Sequence, residues 1–381
     1  VPLKLPLAEM YVPLSARPGL PLGETWERKR LQLAGRELDE KALIGTRTGE
    51  PQPLLALLTD EKRKGLVILG DPGAGKTTFL LYLVVQLAQG QELGLGAERL
   101  PILLPLAAYA AALAEADVSL DDFLPCYYRD QSVRLDLRPL FEAALQSGQA
   151  VVLLDGLDEV RLTQRRQQVV DQVEDFITWH RGRGNKFVIT SRIVGYRDAP
   201  LAVEGLTECT LVDFGDEEVR QFAERWCAAL ERAALGETEV AEWEAERECA
   251  EFLATVNRNP GVRRLAANPL LLTILALMKR QGVTLPEQRA ELYSAYVDTL
   301  LRTWNLARSL APGYQREMKV EEVAETVRVL APLALWMHET NPGVGLAPRG
   351  DMERQLVAHY RGRGASLEEA DTVAALGLVH V

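Results

Sequence analysis

Five short apolar runs, spaced so that helices can form between them, constrain this chain more than any other feature. They are 65–69 (GLVIL), 101–106 (PILLPL), 149–154, 186–191 (KFVITS) and 209–212. None alternates apolar with polar residues, so each predicts a strand buried on both faces, as in a parallel sheet covered by helices. The helix predicted over 76–89 is apolar nearly all round through Leu80, Leu81, Leu83, Val84, Val85 and Leu87, and should be covered on most sides. The helix over 165–180 is amphipathic, with Val169, Val170, Val173, Phe176 and Ile177 on one face. The expectation is an α/β fold with a five-stranded parallel sheet, helices on both faces, and a ligand site at the carboxyl ends of the strands.

After residue 214 the pattern is helical only, over 216–235, 239–256, 268–280, 286–304 and 319–339. Pro286 suits a first helical turn, and Ser366 with Glu369 forms a capping box that opens a last helix. Before the first strand, Pro2, Pro6, Pro13, Pro18 and Pro21 predict an extended arm without helix. The expected division is an arm over 1–40, an α/β domain over 41–214, a helical domain over 215–284 and a further domain over 285–381.

With 381 residues, 47% of them apolar and 25% charged, the chain can fill two or three cored domains. A net charge of −11 argues against general affinity for nucleic acid or anionic membranes. Cys126, Cys209, Cys227 and Cys249 lack CxxC spacing and histidines number four, which argues against a structural zinc site. Scattered thiols fit a reducing cytoplasm. The longest apolar stretch, 265–278, is broken by Asn268 and Pro269 and is too short to span a bilayer. A first residue of Val suggests a piece of a longer protein.

The chemistry begins where the first strand ends. Gly70, Asp71, Pro72, Gly73, Ala74, Gly75, Lys76 and Thr77 follow G-x-x-x-x-G-K-[ST] between a predicted strand and a predicted helix, and with Thr78 they form the expected phosphate-binding set. The glycines let main-chain N–H groups turn inward on phosphate oxygens, and the helix N-terminus adds its dipole. Lys76 should reach the β- and γ-phosphates, and Thr77 should place its hydroxyl on Mg²⁺. Asp155 ends an apolar strand, where a carboxylate can hold Mg²⁺ directly or through water. Gly156 permits a close turn. Asp158 and Glu159 can polarise an attacking water, or serve only as the acidic start of a helix. Arg192, after Thr190-Ser191, should emerge at the same sheet edge with a planar charge suited to a γ-phosphate.

GDPGAGKT, VVLLDGLDE and ITSR together resemble the NACHT family of signal-transduction NTPases, relatives of the NOD-like receptors. The Gly and paired acids after Asp155 are that family's hallmark. Asn268-Pro269-Leu270-Leu271-Leu272-Thr273 is similar to its helical-domain motif, Gly282–Tyr293 to the linker into a winged-helix domain, and Met10–Leu14 to the segment that closes over the base. The resemblance implies ATP or ADP with Mg²⁺ as ligands. It implies adenine contacts from Pro269 and Leu270 on one side and from Tyr11 and Val12 on the other. It makes 285–381 a winged-helix domain, truncated here. The family's winged-helix histidine is not matched by the residues around His380.

The function that the resemblance implies is an ATPase switch: slow hydrolysis, self-association on activation, an effector domain before this segment and a sensor domain after it, and a part in bacterial antiphage defence. A fast AAA+-like motor lacks an evident arginine finger after Arg192. A non-hydrolysing nucleotide-binding scaffold is the other alternative. A GTPase is disfavoured, because Asn185-Lys186-Phe187-Val188 lacks the Asp that reads guanine, and the helical half disfavours a small-molecule kinase.

Overall fold

The computed structural model describes residues 5–19, 50–298, 320–340 and 349–362, apart from 97, 132, 134, 161, 162, 281, 287 and 289. The chain divides into two compact units, Leu3–Leu292 and Tyr293–Val381 with Val1–Pro2.

In the larger unit the arm is not wholly extended. Leu7–Met10 forms one helical turn (α1), and Ser15–Pro18 forms a strand (β1). Gln52–Pro53 (β2) leads into α2 (Leu54–Thr59), and β3 (Gly65–Leu69) into α3 (Lys76–Ala88). The strand β4 (Leu100–Pro105) is followed by α4 (Leu106–Glu115), α5 (Leu120–Asp130) and α6 (Arg138–Ser147), a segment that the apolar-run pattern leaves unassigned. Then come β5 (Ala150–Asp155), α7 (Thr163–His180), β6 (Lys186–Ser191), α8 (Ile193–Asp198) and β7 (Leu206–Leu211).

The sheet has seven strands in the order β2-β1-β7-β3-β6-β5-β4. Five are parallel, as expected. The correction is the two added at one edge: β1 pairs antiparallel with both β2 and β7. The proline-rich arm can do this because the one proline within β1, Pro18, is its last residue and lies beyond the two residues that pair with β2, where a missing donor interrupts no ladder. Every residue of β3 and β6, and all of β5 except Asp155, is buried. The predicted face of α7 is buried throughout. Each of its apolar side chains contributes roughly 1.5–3 kcal/mol to holding the helix on the sheet. The helix α3 is covered along Phe79, Leu80, Leu83 and Leu87, whereas Leu81 is exposed.

Two polar side chains secure the sheet's margins. Asn185 is 1% exposed. It donates to Leu145 O at 2.8 Å and His180 O at 3.0 Å, and accepts from Ala150 N at 3.0 Å, so it ties the ends of α6 and α7 to the start of β5. At the β4 edge the Tyr128 hydroxyl of α5 accepts from Leu103 N and donates to Leu103 O, both at 2.9 Å, satisfying the outward main chain at Leu103.

Beyond β7 run α9 (Asp216–Leu235), α10 (Glu239–Arg258), α11 (Pro260–Ala266) and α12 (Pro269–Arg280). Asn259 caps α11 ahead of Pro260, accepting from Gly261 N at 2.8 Å. Pro286 precedes the next helix rather than opening it, since helical backbone is described from 290 to 298.

In the smaller unit, α13 (Val320–Thr340) and α14 (Arg349–Gly362) pack through Leu333 and Leu356, with Val329, Trp336 and Met352 around them. The capping box at Ser366 and Glu369, and His380, lie outside the described residues. Among the described residues, no helix is long and apolar enough to cross a membrane.

Candidate functional site

Sheet register assembles the site. Leu69 pairs with Ser191 and Leu154 with Ile189, so β3, β6 and β5 end side by side. The loop 70–75, Asp155 and Arg192 therefore leave the sheet at one edge.

The loop passes into α3 through Gly75, and Gly73 has φ +75°. At Gly73 a Cβ would also stand 2.7 Å from the Cβ of Leu270, so the position needs glycine for space as well as for conformation. Lys76 Nζ donates to Gly70 O at 2.7 Å and Asp71 O at 3.1 Å. Burial draws the Lys76 ammonium below the usual lysine range, opposed by the nearby carboxylates, Asp158 foremost.

Asp155 is held from two sides. Its Oδ2 accepts from the Thr77 hydroxyl at 2.8 Å, and its Oδ1 from the hydroxyl of Thr190. The Thr190 Oγ1 in turn accepts from Gly156 N at 2.9 Å. Two oxygen groups, Thr77 Oγ1 and the Asp155 carboxylate, thus stand together at the loop's rim. That is a donor set suited to Mg²⁺, which takes one or two protein oxygens and completes its shell with water and phosphate.

The paired acids separate in environment. Asp158 is 6% exposed. Its Oδ1 accepts from Arg192 N at 2.8 Å, and its Oδ2 pairs with Arg192 Nε at 3.0 Å. Residue 195 must be glycine for this, because a Cβ there would lie 2.4 Å from that of Asp158. Arg166 fastens the same corner, donating to Asp158 O at 3.2 Å, Val160 O at 3.0 Å and Gly195 O at 3.2 Å. Asp158 therefore orients the Arg192 guanidinium through Nε, and the two terminal nitrogens remain as donors. Glu159 exposes part of its side chain, but its carboxyl folds back over Gly156, where an added Cβ would be 2.9 Å from Glu159 Cδ. Partial burial, then the charges of Asp158 and Asp155, raise that carboxyl above the usual glutamate range.

These groups line one cavity of about 550 Å³, a size that takes a small-molecule ligand. Its wall includes Tyr11, Val12, residues 72–78, Asp155, Asp158, Glu159, Arg192, Pro269 and Leu270. Gly70 and Asp71 do not line it; their carbonyls hold Lys76. The Tyr11 ring lies on Tyr82 with centroids 3.9 Å apart and planes at 17°, so α3 already occupies one of its faces.

Sequence reasoning missed Phe214, Phe222 and Trp226 in the wall, and gave no site role to Met10, Thr190 and Thr273, which lie within its motifs. Phe222 and Trp226 stack at 5.6 Å on α9. Their four-residue spacing on an amphipathic helix marks a buried face, but nothing in it distinguishes core from cavity. The wall is thus charged where the strands end and apolar where the arm and helices close on it, matching a ligand with an anionic tail and an apolar head.

No curated protein matches the chain. The family model described as NACHT domain matches residues 64–229, from β3 into α9. Over those residues this chain carries a NACHT domain, the nucleotide-binding core of a P-loop NTPase.

Proposed function

We propose that the chain binds ATP or ADP with Mg²⁺ in this cavity and hydrolyses ATP slowly, so that the bound nucleotide acts as a switch. The observation that carries the reading is that strand-end charges and helical apolar groups meet around one cavity. A nucleotide seated there would touch the sheet with its phosphates and α12 with its base, and could favour one arrangement of those elements over another by its differential contacts.

Each part of the wall has its own task. Loop amides and Lys76 hold the β-phosphate and γ-phosphate. Thr77 and Asp155 would hold Mg²⁺, which supplies positive charge against the phosphate oxygens. Arg192, fixed by Asp158, offers its terminal nitrogens to the γ-phosphate. Glu159 orients the attacking water and accepts its proton, and a raised carboxyl suits that task. Pro269 and Leu270 meet adenine, with Phe222 and Trp226 near the same end. Val12 meets the base from the arm, and Tyr11 serves chiefly to seat the arm on α3. Self-association in the ATP state, effector and sensor domains beyond this segment, a cytoplasmic setting and a place in antiphage defence belong to the same reading, and rest on the family resemblance.

The test is a thermal melt with and without nucleotide. ATP–Mg²⁺ or ADP at about a hundred times Kd should add about 2.7 kcal/mol, and Lys76→Ala should abolish the gain. GTP should add less. Equal stabilisation of wild type and Lys76→Ala, or none of wild type, would overturn the proposal.

A further inference from the structure

The outer side of the phosphate loop is bonded to the start of α12. Asn268 Oδ1 accepts from Leu270 N at 3.1 Å and Leu271 N at 3.2 Å, so the side chain caps the helix. With Oδ1 fixed in that role, Nδ2 is the atom that donates to Pro72 O, at 3.1 Å. Leu270 N also donates to Gly73 O at 3.2 Å. Two successive loop carbonyls are therefore drawn outward, towards the helix.

A trans peptide places its C=O and N–H on opposite sides of one plane. Drawing Pro72 O outward turns the Gly73 N–H inward, and drawing Gly73 O outward turns the Ala74 N–H inward. The second consequence is visible: Ala74 N donates across the loop to Asp71 O at 3.2 Å, the same oxygen that Lys76 Nζ reaches at 3.1 Å. The Ala74 N–H and the Lys76 ammonium thus share the Asp71 carbonyl as acceptor inside the loop, the acceptor that an anionic oxygen would replace. The two segments are in close contact: a Cβ added at Gly73 would lie 3.0 Å from Asn268 Oδ1.

We infer that Asn268 is a positioning residue for the phosphate grip: through Pro72 O it holds the loop amides aimed at the phosphates, independently of any base contact from Pro269. The inference rests on the nucleotide reading above. Asn268→Ser keeps a capping oxygen but removes the amide Nδ2 that donates to Pro72 O, leaving one shorter hydroxyl for both tasks. In the whole chain it should weaken binding of ADP and of inorganic pyrophosphate about tenfold or more, with adenosine affinity unchanged and with the melting temperature of the ligand-free protein near wild type. Pro269→Ala should show the reverse split. Should the serine variant fold poorly, Asn268→Asp retains size and cap and puts an acceptor against Pro72 O. Measured in 0.5 M salt to screen its charge, it should show the same selective loss for pyrophosphate. Unchanged pyrophosphate affinity, or an equal loss for adenosine, would overturn the assignment of Asn268 alone. Wild-type protein that bound neither pyrophosphate nor ADP would remove the nucleotide reading, and this inference with it.

Discussion

Two adjacent carboxylates, Asp158 and Glu159, look interchangeable in a linear chain, yet folding gives them different work. Asp158 is buried against the main-chain N–H and Nε of Arg192, and removing its charge strands a cation that is two-thirds buried. Asp158→Asn should therefore cost stability, about 1–3 kcal/mol for groups left unsatisfied, and should weaken nucleotide contacts made by Arg192. Glu159→Gln should leave the unliganded melting temperature unchanged or slightly higher and remove hydrolysis while sparing binding. Melting curves beside single-turnover hydrolysis of both variants separate the two. Identical behaviour in both assays would contradict the division. The loop 70–77, Asp155 and the acids are legible in the sequence because their chemistry requires fixed residue types at fixed local spacing. Thr190 is legible only as a strand residue, because its second bond, to Gly156 N, exists only once β5 and β6 lie side by side.

Among the elements, the five parallel strands can be anticipated because burial on both faces leaves an unbroken apolar run. The helix α4 cannot, because 106–115 is Ala-rich with little periodicity and the sheet decides which face it buries, although α5 over 120–130 is clearly amphipathic around its internal Pro125. Nor can the arm's place in the sheet, since prolines describe a local backbone and say nothing about which edge that backbone will join. Asn185 teaches the same lesson. In the chain it marks the absence of a guanine-reading Asp; in the fold it joins three elements. Asn185→Ala would leave Ala150 N–H and two carbonyls unpaired in the interior. Chemical denaturation should register a loss of about 2–4 kcal/mol, and a loss below about 0.5 kcal/mol would show that water or neighbouring groups substitute.

At the scale of the larger compact unit, residues 5–19 bind the nucleotide-binding sheet to the helices after it. Tyr11, Val12, Leu14 and Ala16 are buried, Leu14 leans on Gly75, and Arg225 and Arg232 of α9 reach Tyr11 O and the Glu9 carboxylate. A chain begun at residue 50 would forfeit about 1.5–3 kcal/mol for each large apolar side chain and bare the edge of β7. Its melting temperature should fall well below that of the whole chain, and nucleotide should restore little of it. An unaltered melting curve would show the arm to be ornamental. The far margin of the sheet carries a different consequence. A single phenol, Tyr128, occupies both the donor and the acceptor of Leu103, and Pro101 and Pro105 interrupt the same strand. An incoming β-strand finds no ladder to continue there, so copies of this protein cannot extend one another's sheets across the β4 rim, and that side is closed to fibril-like growth.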